Sequence, residues 1–300
     1  MKIINLDRTA LSIKTNSEVK RGQYVSSSAK PIKKILDRLV QSSNADLYVC
    51  PHSFCGAEYL RNLGCNVFGG SLLSRTLEIN EEYRQNLLEI TKIKPEKTIR
   101  GFLWDGEKST AHFQILNFSR CLDKDLGLPD DSVGCKLWFE NPKEDLKKLY
   151  EILQPANYRG MVWYDRTGLH CGFVPEFMYA LFELLQEPVE QVMFDIATGN
   201  ARAFQFHDGV SMAVRVSIYP FPPVLPPKGI EVRGITEAAL KHVWIDGLYR
   251  EDESWFTTGD SGRLFTMTAG GKNHKEASKR AYRNLKKISL PFVQYRTDIV

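Results

Sequence analysis

The stretch Gly262 to Val300, GRLFTMTAGGKNHKEASKRAYRNLKKISLPFVQYRTDIV, decides how the rest of the chain is read. Its first ten residues end in a glycine pair and predict a strand running into a turn. Asn273 then precedes a run that puts Ala277, Ala281, Leu285 and Ile288 on one face, with Glu276 at the capping-box position. This predicts a helix. The chain closes on QYRTDIV, Gln294 to Val300, where an arginine and an aspartate follow an aromatic, although termini usually fray into polar ends.

Upstream, the pattern alternates between helices and strands. SAKPIKKILDRLVQ (28–41) carries Ile32, Ile35, Leu36, Leu39 and Val40 at helical spacing behind Pro31, and ADLYVC follows as a short buried strand. GAEYLRNLGCNVFGG repeats the unit, with Gly64 suited to a helix C-cap and NVFGG a strand entering a glycine turn. SRTLEINEEYRQNLLEITKI (74–93) reads as one helix. IRGFLWDGEKSTAHFQILNF alternates around DGEK as a hairpin, GMVWY is a strand, and EFMYALFELLQ is an apolar helix. SMAVRVSIYPFPPVLPP is a strand running into a proline-rich edge, and KHVWIDG is a further strand.

Composition sets the class. The 300 residues are 43% hydrophobic and 25% charged, with 40 basic against 36 acidic side chains and a net charge of +4. That mild excess permits anionic ligands and leaves nucleic acid open, without the charge of an obligate nucleic-acid binder. The six cysteines form no C-x-x-C pair and the N-terminus has no h-region or cleavage site, so reduced thiols and a cytoplasmic setting are expected. No apolar run approaches the roughly 18 residues of a membrane span.

Motif chemistry is sparse. The six histidines are scattered; His52 lies near Cys50 and Cys55, and His170 beside Cys171, but neither group has a matching second half, so no metal site is expected. There is no G-x-S-x-G, and PHSFCG reads as a strand-end loop. The glycine-bearing segments VFGGS, DKDLGLPDDSVG and TGDSGR fit no phosphate-binding pattern and read as turns. DKDLG is unusual all the same: Asp123 and Asp125 flank Lys124 behind Arg120, a compact group able to hold a cationic and an anionic ligand group together.

The closing stretch resembles the C-terminus of phosphoribosylamine glycine ligase (glycinamide ribonucleotide synthetase), of the ATP-grasp superfamily. The resemblance rests on Gly262, Arg263, Thr268, Gly270, Ala277, Ala281, Tyr282, Arg296, Asp298 and Ile299. Other landmarks follow in the family's order: YLRNLGCNVFGG, Leu77-Glu78, the Asp-Lys-Asp-x-Gly segment with Arg120, Asp123, Lys124, Asp125 and Gly127, then YRGMVWY, IYPFPP and KGIEVRGI. Val300 stands where the family has glycine. The resemblance implies an ATP-grasp-ligase-like α/β and α+β fold: a small N-terminal α/β region (1–80), a reduced central antiparallel sheet with helices (81–205), and a C-terminal β-rich subdomain ending in a helix (206–300).

The same resemblance marks departures. Where the family places a lid that clamps ATP, this chain has 22 residues, Ile79 to Arg100. The family's Gly-Gly-Met-Gly loop is here Asp131, Ser132, Val133 and Gly134, and Gly168 and His170 replace its magnesium-binding Glu and Asn. A glycine side chain offers magnesium nothing. ATP and magnesium are therefore not expected as cofactors, and no metal site is assigned. The implied ligand-binding residues are Arg120, Asp123, Lys124, Asp125, Gly127, Gly134, Arg296 and Asp298, with His170 and Glu176 as further candidates. The implied partner is a phosphoribosyl, nucleotide-like or amino-acid ligand. Three functions fit: a lid-less binder or a transferase taking a pre-activated substrate in nucleotide or DNA-base modification, of the kind a phage would encode; a non-catalytic binding or assembly protein; and an active ATP-dependent glycine ligase of purine synthesis.

Overall fold

The computed structural model describes residues 1–5, 20–21, 36–37, 39–50, 56–94, 98–142, 145–172 and 174–299. The chain divides into two compact units: Met1–Gln114, Phe139–Phe173 and Gln186–Gln205 form the first, and Ile115–Trp138, Val174–Leu185 and Phe206–Val300 the second.

The first unit opens with β1 (Ile3–Asn5), β2 (Lys20–Arg21), β3 (Leu47–Val49), α1 (Ala57–Asn62) and β4 (Val67–Phe68). The four strands pair in parallel in the order β2-β1-β3-β4, which is the expected α/β layer. Of the helix predicted over 28–41, residues 36–37 and 39–41 are described and helical; most of PHSFCG, including His52 and Cys55, lies outside the described residues.

Next come α2 (Leu72–Ile79) and α3 (Glu81–Thr91), where the sequence predicts a single helix. Asn80 makes the difference. It takes extended backbone, ends α2, and its side chain accepts from the Tyr83 amide at 2.9 Å to start α3. An N-cap asparagine competes with continued helix by satisfying an otherwise orphaned donor.

β5 (Ile99–Trp104) leads through a turn in which Asp105 Oδ1 accepts from the Glu107 and Lys108 amides, and on into a long hairpin. Its strands are β6 (Ser109–Leu122) and β7 (Leu126–Phe139). The chain continues through α4 (Lys147–Leu153), β8 (Gly160–Asp165), β9 (Gly168–Cys171), α5 (Pro175–Glu183, in the second unit) and α6 (Val189–Thr198). In the first unit β5, β8 and β9 run antiparallel over a core of Leu87, Leu88, Phe102, Trp104, Leu149 and Tyr164.

The second unit adds β10 (Val210–Ile218), β11 (Lys228–Val232), β12 (Val243–Ile245), β13 (Leu248–Glu251), β14 (Ser254–Thr258), β15 (Arg263–Gly271), α7 (His274–Leu285) and β16 (Val293–Gln294). Its strands follow the order β12-β15-β10-β7-β6, with β16 also on β10, while β11-β14-β13 form a small separate sheet. All nine residues of β10 are buried, and its prolines begin at Pro220, beyond the strand, so β10 itself is central.

Alternation along β10 and β15 separates two faces. Met212, Val214, Val216, Phe265 and Met267 form one core with Ala277, Ala281 and Leu285 of α7. Each large apolar side chain buried there stabilises the fold by roughly 1.5–3 kcal/mol. The opposite parity carries Ala213, Arg215, Thr266 and Thr268, and meets α5, where Thr268 donates to Glu183 and Tyr179 stacks on Trp244. One face is apolar; the other is polar.

As expected, Asn273 caps α7 by accepting from the Glu276 amide at 3.0 Å. Glu276 reaches back one residue further than a capping box requires, to the Lys272 amide at 2.9 Å. The segment Asp131–Gly134, expected as part of a glycine-bearing loop, lies within β7; only Asp123–Asp125 forms the turn. Among the described residues, Cys50, Cys65, Cys121, Cys135 and Cys171 form no disulfide, and no helix is long and apolar enough to cross a membrane.

Candidate ligand-binding site

Two groups of arginine and carboxylate side chains stand out in the second unit. The first joins the hairpin tip to the C-terminal segment. Lys124, Asp125 and Gly127 adopt left-handed backbone (φ 59°, 55° and 81°), which turns the Asp123 and Asp125 carboxylates and the Lys124 amide toward the tail. Arg296, 2% exposed, donates from Nε and Nη2 to both oxygens of Asp298 at 2.8 and 2.7 Å, and from Nη1 to Asp125 at 2.6 Å. Its guanidinium also lies over the Phe118 ring, 5.0 Å from the centroid. Asp123 accepts from the Thr297 amide at 2.7 Å and from its hydroxyl. Asp298 accepts from the Lys124 amide at 2.7 Å, and the Tyr282 hydroxyl bridges Arg296 O and the Ile299 amide.

Every nitrogen of the Arg296 guanidinium therefore has an acceptor within the chain. Arg296 hydrogen bonds hold the Asp298 carboxyl down to about 2. Burial alone would lower the Arg296 pKa, but the hydrogen bonds it donates to Asp298 and Asp125 outweigh it and the value is raised. This is a lock for the tail.

The second group lies on the polar face. Arg215, in the middle of β10, donates from Nη2 to Asp130 of β7 at 2.9 Å, and Arg263 of β15 donates to both oxygens of the same carboxylate at 3.0 and 3.1 Å. Arg215 is 4% exposed; the Cys121 thiol lies within reach of its guanidinium, and its Nη1, also out of solvent, meets no oxygen acceptor. Glu176, in the first turn of α5 and 2% exposed, completes the group. Burial raises its pKa, and the charges of Arg215 and Arg263 oppose that rise. Burial would also raise Asp130, but Arg215 and Arg263 prevail and its carboxyl sits below the ordinary range. Arg215 further lies over the Phe221 ring, 5.0 Å from the centroid. Two cations and two carboxylates thus sit where the neighbouring strand positions are apolar or small.

Of the residues expected at a site, Asp123, Asp125, Arg296 and Asp298 come together in the tail lock, and Lys124 enters it through its backbone. Arg120 is exposed at the same end, donating to Gly127 O at 3.1 Å. Gly134 faces inward: a Cβ there would come within 2.5 Å of Ile299 Cδ1 and 2.8 Å of Ala213 O, so glycine permits close packing of the tail on β7. Glu176 belongs to the charged cluster.

His170 belongs to the first unit, where it stacks on Trp163 and its Nε2 pairs with Thr167 Oγ1 at 2.9 Å. Beside it, Gly168 (φ 129°) lies under α3: a Cβ would come within 2.4 Å of Arg84 Cβ and 2.8 Å of Arg84 C. No carboxylate side chain fits there. The pair does not make the oxygen-rich octahedral set that magnesium requires. Among the described residues no group of three or more His, Cys, Asp or Glu is placed to hold a metal ion.

Sequence reasoning missed Arg215, Arg263 and Asp130 as site residues, Arg263 having entered only as a landmark of the resemblance. Arg215 had a readable signal, a lone charge in the strand SMAVRVSIY; Asp130 had none, because its partners are 85 and 133 residues away.

Comparison with known proteins agrees with the landmarks. A family model described as "Phosphoribosylglycinamide synthetase, C domain" matches residues 214–300. The phosphoribosylamine–glycine ligase of Caldanaerobacter subterraneus subsp. tengcongensis is 27% identical over 231 residues, covering 68% of this chain and 53% of that protein. That of Synechocystis sp. is 29% identical over 221 residues, 66% of this chain and 52% of that one. The chain spans about half the length of the curated relatives it matches.

Among solved structures, the phosphoribosylamine–glycine ligase of Thermotoga maritima matches with a TM-score of 0.55 at 18% identity, over 68% of this chain and 56% of that one. Rhizobium etli pyruvate carboxylase matches with a TM-score of 0.63 at 15% identity, over 98% of this chain and 34% of that one. At those identities the likeness establishes the fold.

Proposed function

We propose that this chain, a diverged phosphoribosylamine–glycine ligase-like protein, binds a small phosphate- or carboxylate-bearing ligand at Asp130, Arg215, Arg263 and Glu176, without ATP-driven activation. The observation that carries this reading is Arg215, buried in a central strand with one guanidinium nitrogen lacking an oxygen acceptor. Buried ion pairs are poor stabilising devices, since well-packed apolar residues often serve the fold as well or better. An incompletely satisfied buried donor asks for an explanation, and a ligand oxygen accepting from Nη1 supplies one.

Arg263, 23% exposed, gives such a ligand its approach from solvent. Asp130 and Glu176 offer acceptors for an amine or a ribose hydroxyl. A ligand with an anion at one end and an amine or hydroxyls at the other fits this set. Phosphoribosyl, nucleotide-like and amino-acid compounds are of that kind, and the names of the relatives point the same way. In this reading Asp123, Asp125, Arg296 and Asp298 pin the tail to the hairpin tip and serve stability, not binding. Arg120 and Lys124 flank its tip.

ATP and magnesium have no part in this reading. In place of a lid the chain has the helix α3, and position 168 has no room for a carboxylate. Any chemistry that follows binding uses a substrate already activated, as a transferase in nucleotide or DNA-base modification would.

A second reading, a non-catalytic assembly protein, is favoured by the tail lock, whose charges are satisfied within the chain. Thermal melts with ribose 5-phosphate, glycine and Mg·ATP separate the two. A ligand at one hundred times its Kd stabilises by about 2.7 kcal/mol, so ribose 5-phosphate or glycine raises the melting temperature and Mg·ATP does not. No response to any of the three leaves the assembly reading. ADP release from ATP with phosphoribosylamine and glycine would restore an active ligase.

A further inference from the structure

The net charge of the chain conceals its distribution. Residues 272–287 hold seven cations, Lys272, Lys275, Lys279, Arg280, Arg283, Lys286 and Lys287, against one carboxylate, Glu276. That segment alone carries +6 while the chain carries +4, so the remainder is negative by two. All seven cations are exposed on or beside α7.

Arg280 is committed, donating to Glu276 at 2.6 Å and to Gly270 O at 3.1 Å. Among the described residues no carboxylate pairs with Lys275, Lys279 or Arg283. These three recur every fourth residue, on one helical stripe about 12 Å long at ~1.5 Å rise per residue. Unpaired like charges at that spacing destabilise an isolated helix slightly, so the stripe does not serve the stability of α7. Its length matches three to four nucleotide steps at about 3.4 Å per strand.

We infer that the exposed stripe of α7 binds the phosphodiester backbone of nucleic acid, Lys275, Lys279 and Arg283 making the central contacts and Lys272, Lys286 and Lys287 extending them. A membrane surface fits less well. An interfacial helix needs an exposed apolar face, and the apolar side of α7, Ala277, Ala281 and Leu285, is buried against β10 and β15. Recognition of this kind reads charge and spacing, not base sequence.

The test is fluorescence polarisation of the full chain with a labelled DNA duplex of about 20 base pairs, over a salt series. Each phosphate contact contributes about 0.9 to the slope of log K against log salt. The triple variant Lys275→Ala, Lys279→Ala, Arg283→Ala therefore loses between 2 and 3 of that slope, and about tenfold or more in affinity at low salt. Alanine is the best helix former, so its melting temperature holds; a matching triple glutamine variant, measured alongside, guards against loss of fold. Equal affinity and slope for wild type and both variants overturns the inference, as does wild-type binding to phosphatidylserine vesicles with none to the duplex. Arg215→Met keeps duplex binding, so failure of the ligand reading and failure of this one are distinguishable.

Discussion

The tail lock and the buried cluster are built from the same parts, arginines against aspartates in one compact unit, yet they are finished differently. Arg296 has an acceptor on every guanidinium nitrogen and an aromatic ring beneath it. Arg215 is as deeply buried and has its own ring, with the Cys121 thiol nearby, but Nη1 has no oxygen acceptor. The first arrangement is complete without a ligand, and the second is not. The tail's arginine and aspartate are the ones a motif marks; the proposed binding role falls instead on Arg215 and Asp130, which no motif marks.

The largest expected effect that tests this contrast is Arg296→Ala. It leaves Asp125 and Asp298 without their cation, but both carboxylates reach solvent, so the loss is that of charge-assisted hydrogen bonds discounted for screening, on the order of 2–3 kcal/mol. Denaturant unfolding should show that loss, while the folded fraction binds ligand as before. If stability holds and binding disappears, the two regions have exchanged roles.

Arg215→Met has the opposite signature. The side chain keeps similar volume, and Arg263 still pairs with Asp130. Stability falls by less than in Arg296→Ala, whereas ligand affinity falls about ten- to hundredfold, the value of a hydrogen bond to a charged group at ~1.5–3 kcal/mol. Calorimetric titration measures the affinity.

Acid titration gives a smaller effect with a definite sign. The Asp298 carboxyl is held near pKa 2 in the folded state, against about 3.9 in an unfolded chain. Its contribution is complete above about pH 4 and is lost as pH falls through the folded value, because the unfolded state binds the proton first. Discounted for its partial exposure, the loss is on the order of 1 kcal/mol, and Asp298→Asn removes that pH dependence. Glu176 runs the other way: with a raised folded pKa, its linkage favours the fold at low pH and weakens as pH rises toward that value.

Lys124→Ala should change least. Only its backbone amide enters the lock, and an exposed substitution of this kind stays within about 0.5 kcal/mol. Urea unfolding that shows a larger loss would mean that the side chain takes part.

Much of this fold was legible because local signals agree. Asn273 and the stripe Ala277, Ala281, Leu285 announce α7, and the Asp105 turn announces the β5–β6 connection. The break at Asn80 was hidden because Leu77, Tyr83, Leu87 and Leu88 sustain a helical period across it. β7 was hidden for the opposite reason: Gly127, Pro129, Asp130 and Asp131 carry turn chemistry, yet strand pairing overrides it. The tail lock was half legible, since its residues were noticed but their pairing across 171 to 174 positions was not. The cluster depends on strand order, which places Arg215 beside Asp130 and Arg263, and no local pattern encodes that.

The central claim is tested most directly by calorimetric titration of ribose 5-phosphate into the wild-type protein and Arg215→Met under identical conditions. The account predicts saturable binding to the wild type and affinity weaker by about ten- to hundredfold in the variant. Equal binding by the two proteins, or none by the wild type with ribose 5-phosphate or glycine, would contradict it.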